Sequence, residues 1–89
     1  ISDALAHPAR IKIFRYIMTS NKKRERVCNK DLVNYFDYSQ ATISQHVKKL
    51  RDAGLVEVRK EDRYSYYYVH LGTLNDYLVA TKKFENMEA

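Results

Sequence analysis

The stretch SQATISQHVKKLRDAGLVEVRKEDRYSYYYV (residues 39–69) decides the fold because its hydrophobic pattern changes period halfway along. Its first half carries apolar side chains at helical spacing, namely Ile43, Val47 and Leu50. Ser39 precedes this pattern as a favourable N-cap, and Gly54 follows it as the kind of residue that ends a helix. The first half therefore predicts an amphipathic helix over residues 39–53.

The second half has a different composition. Residues 55–60 and 64–71 are rich in β-branched and aromatic side chains, and the polar run Glu-Asp-Arg at 61–63 separates them. Two such runs around a short polar reversal are typical of a β-hairpin. We therefore expect a hairpin over residues 55–71, directly after the helix.

A second, shorter helix is predicted just before residue 39. Asn29 is a good N-cap, and three apolar side chains follow on one face, namely Leu32, Val33 and Phe36. Asp37 and Tyr38 form a short break before the next helix. A short helix, a tight break and a longer helix constitute a helix-turn-helix, and the following hairpin extends it to a winged helix-turn-helix.

The remaining elements are also helical. Pro8 suits the first turn of a helix over residues 8–19, whose predicted core face comprises Ile11, Phe14, Ile17 and Met18. Leu5 belongs to the end of an earlier helix, and residues 20–27 form a charged connection. Thr73 can cap a last amphipathic helix. We expect one domain over residues 1–89, mainly α with a β-hairpin (α+β).

Charge and cysteine content limit the classes of partner and environment. The 89 residues include 16 Lys and Arg against 11 Asp and Glu, a net charge of +5. This excess fits a polyanion such as nucleic acid, or an acidic membrane surface. A single cysteine excludes an internal disulfide, and no apolar run approaches the ~18 residues of a membrane span. A cytoplasmic location is expected.

The predicted helix over 39–53 has the side chains that read DNA bases. Its N-terminal half carries short hydroxyl, amide and imidazole groups able to bond base edges, namely Gln40, Thr42, Ser44, Gln45 and His46. Ala41, Gln45 and Lys48 should point away from the core, and Ala41 could contact a thymine methyl group. Any single polar residue on a helix is usually only solvated, but the joint pattern favours double-stranded DNA as partner.

Basic residues continue where phosphates would lie. Ser39 at the helix start is also a predicted DNA-binding residue, and the cations expected to face phosphates are Lys48, Lys49, Arg51, Arg59, Lys60 and Arg63. The last three lie at the tip of the predicted hairpin, which would act as a wing on the flanking backbone. A winged helix can also dock proteins, and that alternative would require an apolar rather than a polar recognition face.

Two segments, ALAHPARIKIFRYI (residues 4–17) and residues 39–69, resemble the arsenic- and zinc-sensor family of bacterial repressors (ArsR/SmtB). The resemblance implies a homodimeric repressor that binds a palindromic operator and releases it on a signal. It also implies that the terminal helices form the dimer interface, here through Leu5, Leu74, Tyr77, Leu78 and Thr81. The family's base-reading positions correspond to Gln40, Thr42, Ser44, Gln45 and His46.

The chain departs from the metal-sensing members of that family. Where they carry a Cys-x-Cys pair, this sequence reads RVCNKDL (residues 26–32), so that Lys30 replaces the second thiol beside Cys28. One thiolate beside an ammonium cannot hold a tetrahedral metal, and the last helix lacks the histidines of the alternative family site. His7, His46 and His70 are scattered along the chain. We therefore expect no metal and no cofactor.

Two features leave alternatives open. Cys28 is either a small buried side chain at a helix start or a redox-sensing thiol near the cations Arg26 and Lys30. The tyrosines at 64 and 66–68 either pack in the hairpin, the interpretation we favour, or stack on a ligand or base. An enzyme is not expected, because the sequence has no nucleophile–base pair, glycine-rich phosphate loop or metal-ligand cluster.

Overall fold

A computed structural model of the protein describes residues 2–70 and Gly72. The elements are α1 (Ser2–Ala6), α2 (Pro8–Lys22), α3 (Asn29–Phe36), α4 (Gln40–Asp52), β1 (Val56–Glu61) and β2 (Tyr64–Val69). This order confirms the predicted α+β winged helix-turn-helix. The predicted last helix, with Leu74, Tyr77, Leu78 and Thr81, lies outside the described residues.

Helix α2 is longer than predicted. Pro8 occupies its first turn, and the His7 side chain caps it by accepting a 3.2 Å hydrogen bond from the Ala9 N–H. The helix runs to Lys22 rather than stopping at residue 19, because Ser20 is buried and the Asn21 side chain bonds the backbone of β2. The charged connection is therefore confined to the residues between Lys22 and α3.

The start of α3 also differs by one residue from the prediction. Cys28, not Asn29, is the N-cap, and its backbone N–H donates a 3.0 Å hydrogen bond to the Asp31 carboxylate. Asp31 thus provides an acceptor for the Cys28 backbone N–H, a donor that the side chain of Cys28 itself cannot reach. At the other end, Asp37 adopts the left-handed conformation (φ 57°) and turns the chain towards α4.

Helix α4 begins and ends as predicted. Ser39 Oγ accepts a 3.1 Å hydrogen bond from the Thr42 N–H. At the C-terminus Gly54 has φ 78°, its N–H bonds the Arg51 carbonyl, and the Leu55 N–H bonds the Leu50 carbonyl. These two bonds form a Schellman motif, which requires the left-handed glycine and directs the chain into the hairpin.

The two strands pair antiparallel, with Val56 opposite Val69 and Glu61 opposite Tyr64. Glu61 therefore belongs to β1, and the reversal is the two-residue turn Asp62–Arg63, in which Asp62 has φ 56°. The strands are thus offset slightly from the predicted 55–60 and 64–71. The chain just before α3 pairs with β2 at one point, where the Tyr67 N–H donates a 2.8 Å hydrogen bond to the Val27 carbonyl.

The core lies between α2, α3, α4 and the hairpin. The largest fully buried side chains are Ile13, Ile17, Leu32, Ile43, Leu50, Leu55 and Val27. The predicted stripe of α4 is confirmed. In α2, however, the prediction that Ile11 faces the core was wrong: Ile11 is 38% exposed, and Ile13 takes the buried position with Ile17 four residues later.

Candidate nucleic-acid interface

The outward face of α4 is polar. Ile43, Val47 and Leu50 turn inward, while the exposed residues in the first three turns are Gln40, Ala41, Ser44, Gln45, Lys48 and Lys49. The prediction that Ala41, Gln45 and Lys48 point away from the core is confirmed. A helix of this kind presents amides, hydroxyls and a methyl group near its N-terminus, and cations one or two turns later.

Two hydroxyls at the start of α4 are bonded to each other. Ser39 Oγ accepts from the Thr42 N–H and donates to Thr42 Oγ1 at 2.9 Å. The pair fixes the first turn, where free backbone N–H groups and the helix dipole favour an anion. Ser39 is exposed and Thr42 is half-buried, so these side chains lie at the edge of the polar face.

His46 is placed differently from the other predicted base-reading residues. It is half-buried against the start of α2, where its Nδ1 accepts a 3.3 Å hydrogen bond from Arg10 Nε. Its ring lies 4.8 Å from that of His7 and 6.5 Å from that of Tyr38. Burial, reinforced by His7 and Arg10, lowers the pKa of His46 below its usual value of 6.5. Its side chain therefore joins α4 to α2.

The hairpin carries the predicted cations, but they are not equivalent. Arg59 Nε donates a 2.6 Å hydrogen bond to Glu57, and the guanidinium lies 4.4 Å from the centre of the Tyr68 ring. The bond to Glu57, with its charge, raises the pKa of Arg59, which stays protonated. Lys60 and Arg63 are exposed at the tip. Arg59 is thus held in place along β1, while Lys60 and Arg63 supply exposed charge at the tip.

Helix and hairpin form one surface. Both line one cavity of about 330 Å³, whose walls include Ser44 and Lys48 from α4 and Val58 and Ser65 from the strands. Arg51, near the end of α4, lines the same cavity. The structure therefore brings three predicted α4 residues, Ser44, Lys48 and Arg51, next to the strands of the hairpin, whereas the predicted wing cations Arg59, Lys60 and Arg63 lie outside this cavity.

Sequence reasoning missed one support of the wing. The guanidinium of Arg26 lies 5.2 Å from the centre of the Tyr66 ring and 3.3 Å from the Glu61 carboxylate. Arg26 directly precedes Val27, whose carbonyl accepts the hydrogen bond from Tyr67. The loop before α3 is therefore held against β2. No local sequence pattern signals this arrangement, because Arg26 lies far along the chain from its partners Glu61 and Tyr66.

The tyrosines of β2 divide between core and surface. Tyr67 is buried and its hydroxyl donates a 3.2 Å hydrogen bond to Asn29 Oδ1, which joins the hairpin to the start of α3. Burial raises the pKa of Tyr67. Tyr66 and Tyr68 lie under arginines, while Tyr64 is 59% exposed. The favoured packing interpretation thus applies fully to Tyr67, and the neighbouring tyrosines position cations.

Cys28 is half-buried, and its thiol donates a 3.4 Å hydrogen bond to Asp31. Within residues 2–70 and Gly72, no group of three or more His, Cys, Asp or Glu side chains is arranged to hold a metal ion. In the same part of the chain, no helix has both the length and the apolar character needed to cross a membrane.

This architecture, with a polar helix N-terminus beside a basic hairpin, defines a winged helix-turn-helix DNA-binding protein. Residues 7–58 match the family model of bacterial regulatory proteins of the arsR family. The chain belongs to this family, whose members are transcriptional regulators and not enzymes.

Three similar proteins illustrate the relationship. The arsenical resistance operon repressor of Staphylococcus aureus is 38% identical over 50 residues, which cover 56% of this chain and 48% of that protein. The matched part therefore spans about half of that relative. A crystal structure of a possible transcriptional regulator for arsenical resistance superposes with a TM-score of 0.75 at 27% identity, covering 92% of this chain and 80% of the other.

The third is the homodimeric winged helix-turn-helix DNA-binding domain of a possible ArsR-family regulator from Mycobacterium bovis. It has a TM-score of 0.72 at 19% identity, over 94% of this chain and 74% of the other. At this identity the likeness shows the fold.

Proposed function

We propose that the protein is a homodimeric repressor that binds a palindromic operator, with α4 in the major groove and the hairpin on the flanking backbone. The observation that carries the proposal is the cavity that α4 and the hairpin share, whose walls bring Ser44, Lys48 and Arg51 of α4 next to Ser65 of β2. A protein-docking module would need an apolar face here, whereas the apolar residues of α4 are buried.

Within this proposal the residues divide by what they can reach. Gln40, Ser44 and Gln45 contact base edges, and Ala41 packs on a thymine methyl group. The phosphate contacts are made by Ser39, Lys48, Lys49, Arg51, Arg59, Lys60 and Arg63. Thr42, predicted as a base reader, joins them because its hydroxyl is bonded to Ser39 at the edge of the polar face. His46, which bonds Arg10, positions α4 rather than reading a base. Residues 1–89 act together as one cytoplasmic DNA-binding domain.

The dimer is inferred from the apolar character of the terminal segments. Leu5 on α1 is half-buried, and Ile11 on α2 leaves more than a third of its surface exposed. Burying such side chains together with Leu74, Tyr77, Leu78 and Thr81 against a second copy would stabilise a domain of this size. The related M. bovis domain is a homodimer.

Selection of binding sites from a pool of random DNA duplexes tests the proposal. We expect an inverted repeat with half-sites about 10–10.5 base pairs apart, or a multiple of that spacing. Sedimentation of the selected complex should show two chains per duplex. Selection of a single half-site, with one chain bound, would contradict the dimeric arrangement, and a failure to enrich any sequence would contradict operator recognition.

A further inference from the structure

An open cavity of about 680 Å³ lies between α2 and the end of α3, and none of its lining residues belongs to α4 or the hairpin. Its walls combine aromatic side chains with cations, and the residues that matter here are Lys12, Arg15, Tyr16, Lys23, Tyr35 and Phe36. The volume lies within the range of sites for small organic ligands. The proposed DNA surface makes no use of these residues.

The aromatic wall is unusually exposed. The rings of Tyr16 and Tyr35 lie 4.5 Å apart, and that of Phe36 lies 4.9 Å from Tyr35 and 5.7 Å from Tyr16. Tyr35 nevertheless remains 66% exposed. A flat ring laid on this cluster would cover apolar surface and gain the stacking interactions that aromatic groups favour.

The rim of the cavity is positively charged. Three cations, Lys12, Arg15 and Lys23, line it against one carboxylate, that of Glu25, which leaves an excess of two positive charges. Burial, with smaller contributions led by Asp31, raises the pKa of Tyr16, so its phenol stays protonated and can donate a hydrogen bond. These features select a ligand that is both aromatic and anionic.

Ring contacts connect the cavity to the recognition helix. Phe36 stacks nearly parallel to Tyr38, with centroids 6.2 Å apart and an interplanar angle of 9°. Tyr38 in turn meets the ring of His46 edge-on at 6.5 Å. A ligand that shifts Phe36 would therefore also displace Tyr38 and, through it, His46 on α4.

We propose that this cavity binds a small planar aromatic anion of the aromatic carboxylate class, and that the bound ligand weakens DNA binding. Ligand binding is inferred from the cavity alone, while the effect of the ligand on DNA binding rests on the proposed function. The ligand adds negative charge to a protein that holds a polyanion, and it acts on α4 through Phe36, Tyr38 and His46.

The ligand-binding part of the proposal is tested on the whole chain without DNA, with 1-naphthoate as a fluorescent probe. We expect saturable binding, at least about five-fold tighter than that of the neutral 1-naphthalenemethanol or of the non-aromatic cyclohexanecarboxylate. Equal binding of all three probes, or no saturable binding of 1-naphthoate, would overturn the site.

Variants locate the binding. Tyr35→Ala removes an exposed ring and Lys12→Gln an exposed cation, so both should fold and each should weaken 1-naphthoate binding several-fold. Lys22→Gln is the matched control, since Lys22 is exposed on the same helix but does not line the cavity. An equal loss in Lys12→Gln and Lys22→Gln would show general charge attraction and overturn the assignment.

The effect of the ligand on DNA binding is tested by titrating a fluorescent duplex with the protein, with and without saturating 1-naphthoate. We expect DNA affinity to fall about five-fold or more, and this change to be absent in Tyr35→Ala. If 1-naphthoate binds as expected but leaves DNA affinity unchanged, the regulatory half is wrong. If the protein binds 1-naphthoate but no DNA, the proposed function fails and the site stands; if it binds only DNA, the site fails.

Discussion

Arg10 Nε lies 3.3 Å from His46 Nδ1, so that a cation at the start of α2 donates a hydrogen bond to the middle of the recognition helix. The bond requires an unprotonated Nδ1 on His46. A proton there would remove the acceptor and place a charged imidazole beside Arg10 and His7. The position of α4 against α2 is therefore linked to pH.

The first prediction is a loss of stability in mild acid. The pKa of His46 is lowered in the folded protein, first by burial and then by His7 and Arg10, so the unfolded chain binds the proton more tightly. Neutral His46 makes its full contribution to the stability of the folded protein above the ordinary histidine pKa of 6.5. This contribution is lost as the pH falls below 6.5 towards the lower pKa of His46 in the folded state. Urea unfolding at a series of pH values from about 7.5 to about 5 measures it.

A matched pair of variants isolates His46 in that experiment. His46→Gln, which keeps an acceptor but cannot titrate, should reduce the pH dependence in this range. Gln45→Ala, at an exposed and non-ionisable position of the same helix, should leave the dependence unchanged. An unaltered pH profile in His46→Gln would show that other groups cause the effect.

The second prediction concerns the bond between α2 and the wing. Asn21 donates to the Tyr67 carbonyl at 3.4 Å and accepts from the Val69 N–H at 2.9 Å. Asn21→Ala leaves both backbone groups without these partners, and we expect a loss of about 1–3 kcal/mol in the free energy of unfolding. Asn34→Ala, at an exposed position of α3, should change it by less than about 0.5 kcal/mol. Equal effects in chemical denaturation would contradict the role of Asn21.

These examples show what the sequence could and could not predict. Ser39 and Gly54 delimit α4 through local backbone chemistry, and the change of hydrophobic period marks the hairpin, so the winged helix-turn-helix was predictable. Local chemistry does not reveal which face of α2 meets the core, and Ile11 was misplaced for that reason. Asn21 and His46 depend on partners 48 and 36 residues away, which no local pattern encodes.

The third prediction separates base reading from phosphate contact. Gln45→Ala should weaken binding to the selected operator by about 1–3 kcal/mol and relax the preference at one base pair, because an exposed amide of α4 is lost. Lys60→Ala should instead weaken binding to all sequences alike. Competition between operator and scrambled duplexes measures both. Uniform weakening by Gln45→Ala would place that side chain on the backbone.

The fourth prediction assigns Cys28 a structural role at the start of α3. Serine is a better N-cap than cysteine, so Cys28→Ser should keep or raise stability, by up to about 1 kcal/mol. DNA affinity of the wild-type protein should be unaffected by mild peroxide. A peroxide response that disappears in Cys28→Ser would contradict this assignment and identify the thiol as a redox sensor.

Binding of duplex DNA by the basic residues of α4 and the hairpin underlies the proposed function. Fluorescence anisotropy with a duplex over a range of salt concentrations tests it most directly. We expect the logarithm of the DNA association constant to fall linearly with the logarithm of the salt concentration, with a slope of about −0.9 for each phosphate contact. Lys60→Ala should make the slope less negative by about one such step. No binding at low salt, or a slope near zero, would show that this surface does not bind duplex DNA.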